Sequence, residues 1–308
     1  MLLLTGATGV VGSELLPLLL ERDEPVRVLV REPRRLGANR VDVQMSLGDL
    51  ADPFSMRHAM RGVDTVVHLA ATIRDQRRGS IEELNGLATV RLLRSAERAG
   101  VKRFLFFSAM GATSFQRTRF FRAKALTERA VLASSLEATV FAPSIVYKPV
   151  DPWITLLERF SLLPAVPVSG GGGAHYQPIW ARDVADCVVA ALDGDSAGDE
   201  TDEARRFELA GPETLSYDGI VEQVLEANGR GRPLLHVPLP FVRAGLKGLE
   251  LLGGQSGAFA TWEEAELMEV PMVTERGTDD AKRLGVEPAA MGLVLGGSNG
   301  GRPATAGQ

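Results

Sequence analysis

The chain has 308 residues, of which 45% are hydrophobic and 24% are charged, and its formal net charge is −5. This length supports one large hydrophobic core or two smaller ones. The acidic balance gives no basic field for nucleic acid, so we expect no nucleic-acid partner. The single cysteine, Cys187, lies in an apolar run, which excludes an intramolecular disulfide and is typical of a buried small side chain.

The first residues run directly into a short apolar strand that ends at a glycine loop, which makes a cleavable signal peptide implausible. Apolar runs along the chain are all shorter than the roughly 20 residues of a transmembrane helix. We therefore expect a cytoplasmic protein without a transmembrane segment, and peripheral membrane association stays open.

Short apolar runs alternate with segments of helical periodicity along the first half of the chain. The predicted strands are LLLT, VRVLV, DTVVHLA, KRFLFFSA and EATVFAP, with helical segments between them. This alternation predicts parallel strands joined by crossover helices, hence an α/β Rossmann fold with a doubly wound parallel sheet. Pro17 falls inside the first predicted helix, where a proline costs about 3 kcal/mol unless the helix kinks or begins late.

The regular alternation ends after Pro143. An amphipathic helix, several prolines and the glycine run 170–173 follow, and QPIWARDVADCVVAAL then returns to a strand and a helix. A tail rich in glycine and small polar residues closes the chain. The predicted parts are a Rossmann domain over residues 1–150 with parts of 175–210, a smaller and mostly helical lobe over 151–174 and 211–294, and a disordered tail over 295–308.

A glycine motif, TGATGVVG, lies between the first predicted strand and the first predicted helix. In this context it predicts a pyrophosphate site, because glycines permit a tight turn and close backbone approach while the helix N-terminus offers free N–H groups. A glycine turn that merely joins strand to helix is the alternative. The residues predicted to contact a dinucleotide here are Gly6, Thr8, Gly9, Val10, Val11 and Gly12.

The second predicted strand ends at Arg31, beside the expected position of the adenosine ribose. An NAD-preferring site usually has Asp or Glu there, whereas a guanidinium suits the 2′-phosphate of NADP or stacks on adenine. A solvated basic loop is the alternative, and Glu32 in the same turn weakens the case for the phosphate. Asp49, followed by Leu50, is placed to accept from the adenine amino group or to cap a turn before the helix near Pro53. We predict NADP(H) in preference to NAD(H).

These motifs resemble the short-chain dehydrogenase/reductase superfamily in its extended and atypical branches. TGATGVVG, GDLAD, VDTVVHLAA, the Asn85 helix, VKRFLFFSA, AKALTE, VFAPSIVY and QPIWARDVA follow that family's order and approximate spacing. Within it, the chain resembles NAD(P)H-binding proteins related to the nucleotide-binding accessory subunit of respiratory complex I, with epimerase-like and NmrA-like relatives more distant. The resemblance implies further cofactor contacts at Leu69, Ala70, Ala71, Pro143 and Ile145.

The resemblance also indicates that one of the family's catalytic residues, a tyrosine, is absent from this chain. In active members a Tyr four residues before a Lys exchanges a proton with the substrate oxygen, the Lys holds the nicotinamide ribose, and a Ser or Thr orients the carbonyl. Here the lysine is Lys124 and the hydroxyl candidate is Ser108, both also implied cofactor contacts, but Phe120 stands in the tyrosine position. Tyr176 and His175 are candidates for a replacement proton donor, and a structural aromatic and an exposed histidine are their alternatives.

Other kinds of site find little support in the sequence. His68 is interpreted as a core group, the four histidines and one cysteine lack metal-ligand spacing, and no Gly-x-Ser-x-Gly elbow is present. Two functions stay open: an NAD(P)H-dependent oxidoreductase of unknown substrate, and a non-catalytic protein that holds NADPH for structural or sensing purposes. A nucleotide-sugar epimerase ranks lower because it needs the tyrosine. The expected partners are a dinucleotide and an unidentified small molecule or protein.

Overall fold

Strands and helices alternate through the computed structural model, which describes residues 1–76, 78–194, 205–238, 240–242 and 266–296. The strands are β1 (Leu2–Thr5), β2 (Val26–Val30), β3 (Gln44–Leu47), β4 (Thr65–His68), β5 (Arg103–Phe107), β6 (Glu137–Pro143), β7 (Val146–Tyr147), β8 (Val166–Ser169), β9 (His175–Tyr176), β10 (Ile179–Trp180), β11 (Arg206–Leu209), β12 (Leu215–Ser216) and β13 (Leu234–Val237). The α-helices are α1 (Val10–Leu20), α2 (Pro53–Ala59), α3 (Ala88–Ala99), α4 (Arg119–Leu132), α5 (Pro152–Phe160), α6 (Ala181–Asp193), α7 (Tyr217–Ala227), α8 (Asp279–Arg283) and α9 (Met291–Gly296). A 3-10 segment covers Pro33–Val41, and a π-helical turn, Glu83–Leu87, leads into α3.

The chain divides into two compact units. The first comprises Met1–Pro143, Ala181–Leu209 and Asp279–Glu287, and the second comprises Ser144–Trp180, Ala210–Thr278 and Pro288–Gln308. Residues 279–287 belong to the first unit, whereas the sequence pattern assigned them to the smaller lobe. Their position is fixed by a backbone contact, because the Glu208 N–H on β11 donates to Asp280 Oδ2 on α8 at 2.8 Å.

The first unit is built on a seven-stranded parallel sheet in the order β11-β6-β5-β4-β1-β2-β3. The pairing of β1 with β4 places Thr5 opposite His68, and the pairing of β1 with β2 places Thr5 opposite Leu29. Leu2, Leu3 and Leu4 of β1 are buried, as expected of a strand that is covered on both faces. The predicted doubly wound Rossmann fold is confirmed.

Two groups of helices flank this sheet. Helices α1 and α6 pack against each other, and α2, α3 and α4 share one hydrophobic core with the central strands. Leu92, Leu93 and Ala96 of α3 are buried in that core at helical spacing. Helix α1 begins at Val10 and contains Pro17 in its second half, so a late start of the helix does not account for this proline.

The second unit has its own core, in which Tyr147, Tyr176, Ile220 and Met291 are buried together. Its described residues contain α5, α7, α9 and the strand pairs β7–β10, β8–β13 and β9–β12. Helix α9 runs to Gly296 and so extends into the predicted tail. The rest of that tail and residues 243–265 of the predicted helical lobe lie outside the described residues. Among the described helices, none is long and apolar enough to cross a membrane.

Candidate functional site

An open cavity of about 340 Å³ lies at the carboxyl ends of β1, β2, β3 and β4, entirely within the first unit. This edge of a parallel sheet is where open α/β folds bind ligands. The predicted binding residues that line it are Gly6, Thr8, Gly9, Arg31, Asp49, Leu50, Leu69, Ala70 and Ala71. The predicted residues outside its lining are Val10, Val11, Gly12, Ser108, Lys124, Pro143 and Ile145.

The three glycines of the motif serve different purposes. Gly6 has a φ of +79°, and a Cβ there would stand 2.6 Å from the Ala70 nitrogen. A Cβ at Gly12 would stand 2.2 Å from the Gly6 carbonyl oxygen, so α1 reaches the loop only because this residue has no side chain. A Cβ at Gly9 would meet only that carbonyl oxygen within 4 Å, at 3.3 Å. Close contacts therefore exclude a side chain at Gly6 and Gly12. At Gly9 the single contact is less severe, and a side chain there would also lie at the cavity.

The start of α1 supplies backbone donors beside the cavity. Gly9 is its N-cap, and the first bond of the helix runs from the Ser13 N–H to the Gly9 carbonyl at 3.0 Å. The N–H groups of Val10, Val11 and Gly12 precede that bond, and such N–H groups have no intrahelical partner. The helix dipole adds partial positive charge at the same end. This arrangement is suited to an anion such as a pyrophosphate.

Asp49 organises the end of the cavity that follows β3. Its Oδ1 accepts the Ala51 N–H at 3.0 Å, and its Oδ2 lies 3.3 Å from Arg78 Nη1 and 4.0 Å from Arg31 Nη1. Asp52, rather than Asp49, caps α2 by accepting the first N–H groups of that helix. Asp49 thus holds a turn and lines the cavity at once. Arg78 was not among the predicted site residues, because nothing in its loop marks it out from other exposed arginines.

Asn85 fixes the loop that follows β4. Its side chain is fully buried, Oδ1 accepts the Thr72 N–H at 3.0 Å, and Nδ2 donates to the carbonyls of Thr72 at 2.7 Å and Ile81 at 2.9 Å. Thr72 lines the cavity, so this pair of bonds sets the position of the cavity wall. The sequence resemblance identified the Asn85 helix but gave no role to the side chain.

His68 is a core group, as predicted. Its Nδ1 lies 2.6 Å from Thr5 Oγ1 and its Nε2 lies 2.9 Å from Thr89 Oγ1, which itself donates to the Asn85 carbonyl. Burial, together with the positive charge of Lys124, lowers the pKa of His68 to about 3. The imidazole is therefore neutral near pH 7 and serves to join β1, β4 and α3.

Lys124 lies in the interior of the first unit. It is 2% exposed, and its Nζ donates to the Phe107 carbonyl at 2.6 Å. The same nitrogen lies 4.9 Å from the centre of the Phe106 ring and 5.8 Å from that of Phe120. Burial lowers the pKa of Lys124 to about 7, against the opposing effect of the Glu128 charge. The spacing of the Phe120 and Lys124 pair thus survives on one face of α4, but the ammonium group is bound to the protein itself.

Ser108 is also engaged internally. Its hydroxyl donates to the carboxylate of Glu128, which in turn forms an ion pair with Arg206 of β11 at 2.6 Å. Arg206 pairs with Glu208 as well. The predicted role of Ser108 as a carbonyl-orienting hydroxyl is not supported by this arrangement, because its proton is given to a neighbouring ion pair.

The remaining predicted residues are not among those that line the cavity. Pro143 is buried at the end of β6, where its carbonyl accepts the Met110 N–H at 2.9 Å, and Ile145 packs on the core of the second unit. In that unit the Tyr176 hydroxyl donates to the Met268 carbonyl and burial raises its pKa, while His175 is exposed. Tyr176 therefore has the structural role given as its alternative. In the part of the chain that the structure describes, no three His, Cys, Asp or Glu side chains are grouped to hold a metal ion.

Comparison with known proteins identifies the family. A family model described as NAD(P)H-binding matches residues 6–195, which include the three glycines of the motif and all the cavity-lining residues except Thr5. The chain belongs to this NAD(P)H-binding family. The match confirms the predicted resemblance to the atypical short-chain dehydrogenase/reductase superfamily and the predicted nicotinamide dinucleotide as ligand.

Several relatives of this NAD(P)H-binding protein are known. The NADH dehydrogenase [ubiquinone] 1 alpha subcomplex subunit 9 of Arabidopsis thaliana is 30% identical over 78% of this chain, and the match spans 60% of that protein. The sterol demethylase protein B of Methylococcus capsulatus is 30% identical over 77% of each chain, and an NAD(P)H azoreductase of Xenophilus azovorans is 27% identical over 79% of each. A nucleoside-diphosphate-sugar epimerase structure from Staphylococcus aureus superposes with a TM-score of 0.73 at 18% identity, covering 96% of this chain and 99% of that one, which shows the shared fold alone.

Proposed function

We propose that this chain binds NADPH in preference to NADH and holds it without the tyrosine-dependent carbonyl chemistry of its superfamily. The observation that carries the cofactor preference is Arg31, which follows β2 and lines the cavity where an NAD site usually has a carboxylate. A guanidinium there favours a 2′-phosphate through charge-assisted hydrogen bonds. When bound, the reduced nicotinamide supplies a hydride to an acceptor.

Different groups of cavity residues bind different parts of the nucleotide in this proposal. The loop at Gly9 and the first N–H groups of α1 bind the pyrophosphate, because a Cβ at Gly9 would project from the cavity wall toward the ligand. Asp49 and Leu50 form the adenine end of the site. The residues at the end of β4, Leu69 to Ala71, provide apolar and backbone contacts along the same wall.

The absence of tyrosine-type catalysis is inferred from three positions on β5 and α4. Phe120 has no proton to give, the Lys124 ammonium donates to the Phe107 carbonyl, and the Ser108 hydroxyl donates to Glu128. A positioned general acid contributes about 10² to 10⁴ in rate, so its loss makes ordinary carbonyl reduction slow. The protein retains the site that binds NADPH and has lost the groups that would direct its reaction.

An oxidoreductase is the second candidate. The reductases among the relatives, such as the azoreductase, favour it, since their matches run along most of this chain. Such an activity would require an acceptor that needs no protein-bound phenol for protonation. The substrate would then be an electron-poor compound such as a quinone or an azo compound, rather than a simple ketone.

Calorimetric titration with NADPH and NADH tests the binding proposal. We expect NADPH to bind more tightly, and we expect Arg31→Ala to weaken NADPH at least tenfold while leaving NADH within about twofold. Arg94→Ala, a variant on the exposed side of α3, is the matched control for the loss of one positive charge. An equal loss of both nucleotides in Arg31→Ala would contradict the NADP assignment.

The catalytic question is tested on the NADPH complex by following the absorbance of the reduced nicotinamide while quinones, azo compounds, aldehydes and ketones are added. We expect no oxidation by ketones or aldehydes. Phe120→Tyr is expected to leave that result unchanged, because Ser108 and Lys124 remain bound to other protein groups. A rise in ketone reduction in this variant would show that the site is still arranged for catalysis, and oxidation by a quinone or an azo compound would support the second candidate.

A further inference from the structure

The loop after β4 brings a second arginine to the adenosine end of the cavity. Arg78 is mostly exposed, at 72% of its side chain, yet its Nη1 donates to Asp49 Oδ2 at 3.3 Å. Arg31 approaches the same oxygen atom at 4.0 Å. Two guanidinium groups from different crossover connections therefore converge on one carboxylate whose side chain is only 12% exposed.

The charges at this point leave a positive surplus. Asp49 carries one negative charge and the two guanidinium groups carry two positive charges, so one positive charge is left unbalanced. Arg35 and Glu32, which also line the cavity, offset each other. Guanidinium groups that lie close together repel one another, and an added anion lowers that repulsion. Phosphate, like carboxylate, accepts the paired planar donors of a guanidinium group.

The backbone of the loop holds Arg78 in place. Gln76 and Gly79 exchange two backbone hydrogen bonds, of 2.9 and 3.2 Å, and Gln76 lines the cavity. The base of the loop is bound by the Ile81 N–H, which donates to Asp75 Oδ1 at 2.8 Å. These bonds on both sides of Arg78 restrict the backbone beside it, so its guanidinium is presented toward Asp49 at little cost in backbone entropy.

We propose that Arg78 and Arg31 form a clamp on the 2′-phosphate, and that Arg78 is a specificity-determining residue for NADP(H). This inference rests on the proposed NADPH preference. Asp49 holds the two guanidinium groups at the adenosine end, and the phosphate takes up the positive charge that Asp49 leaves unbalanced. In this clamp, the loop after β4 contributes Arg78 to the preference for NADP(H). The sequence pattern assigned that preference to Arg31 at the end of β2 alone.

The test compares two fragments that differ only in the phosphate, 2′,5′-ADP and 5′-AMP, by calorimetry on the full chain. We expect the wild type to prefer 2′,5′-ADP. Arg78→Ala is expected to weaken 2′,5′-ADP about tenfold and to leave 5′-AMP within about twofold, as is Arg31→Ala. Arg94→Ala is the charge-matched control, and the thermal midpoint of each variant confirms that it is folded.

Three results would overturn the inference, and they can be told apart. A wild type that binds both fragments equally refutes the clamp together with the NADPH preference. A preference that is lost in Arg31→Ala but kept in Arg78→Ala refutes the clamp and leaves the preference intact. An equal loss of both fragments in Arg78→Ala assigns the residue to general positioning of the loop.

Discussion

Replacing Gly6 by alanine tests the physical basis of the nucleotide loop. Gly6 has a φ of +79°, and its added Cβ would stand 2.6 Å from the Ala70 nitrogen and 2.9 Å from the Leu69 carbonyl carbon. Both contacts are with backbone at the end of β4, which cannot turn aside as a flexible side chain could. The substitution therefore combines an unfavourable backbone conformation with an overpacked contact.

The two contributions can be separated with a matched glycine. Gly100, the C-terminal cap of α3, has a φ of +75°, and a Cβ there would meet nothing within 4 Å. Gly100→Ala thus carries only the conformational cost, about 1 kcal/mol. Gly6→Ala carries that cost and the strain of overpacking, about 1 to 3 kcal/mol more. The lower entropy of the unfolded alanine chain affects both variants equally and cancels in the comparison.

Urea denaturation of the two variants and the wild type measures the difference. We expect the free energy of unfolding to fall about 1 kcal/mol in Gly100→Ala and about 2 to 4 kcal/mol in Gly6→Ala. NADPH binding should be lost only in Gly6→Ala, because only that loop lines the cavity. Equal destabilisation of the two variants would refute the reasoning, since it would mean that the approach of β4 to Gly6 imposes no constraint.

Two further predictions concern buried polar groups. Asn85→Ala removes three hydrogen bonds to Thr72 and Ile81, so we expect a loss of about 2 to 4 kcal/mol in urea denaturation and weaker NADPH binding; unchanged stability would contradict the role of Asn85. Lys124 has a pKa lowered from 10.5 to about 7 by burial, so between these values the unfolded chain binds the extra proton. The free energy of unfolding of the wild type, relative to Lys124→Met, should therefore rise with pH from about 7 toward 10.5, and a difference that stays flat or falls would show that Lys124 is not desolvated.

Five strands of the sheet in the first unit, β1, β2, β4, β5 and β6, could be predicted because each is a mainly apolar run. A strand buried on both faces is apolar throughout, and the segment between two parallel strands must be long enough for a crossover helix. The glycine loop could be predicted equally well, because the positive φ of Gly6 and the contact of Gly12 with Gly6 and Ala7 both depend on residues close in sequence. Pro17 is the exception, because it lies inside α1 and nothing in the local sequence explains how the helix accommodates it.

What could not be predicted depends on contacts between distant segments. Arg78 reaches Asp49 across a sequence separation of 29 residues, and Arg206 reaches Glu128 across 78. Neither arginine differs in its local pattern from exposed arginines elsewhere in the chain. The helical spacing of Phe120 and Lys124 predicted that they share a face of α4, but it did not predict that the Phe107 carbonyl would bind the ammonium group. Periodicity identifies a face, and only the packed structure identifies what covers it.

The hydrogen bond of Ser108 differs from the role that the superfamily resemblance implies for this residue. Glu128 lies one turn beyond Lys124 on α4, and it binds the Ser108 hydroxyl while Arg206 of β11 balances its charge. The chain therefore differs from the pattern implied by the resemblance at two positions. Phe120 replaces the tyrosine, and the Ser108 hydroxyl binds the ion pair of Glu128 and Arg206. The glycine loop, by contrast, keeps Gly9 beside the cavity, where an added Cβ would meet the Gly6 carbonyl oxygen at 3.3 Å. Under the proposed function, the glycine loop binds the dinucleotide while the Ser108 hydroxyl stays bound to the ion pair of Glu128 and Arg206.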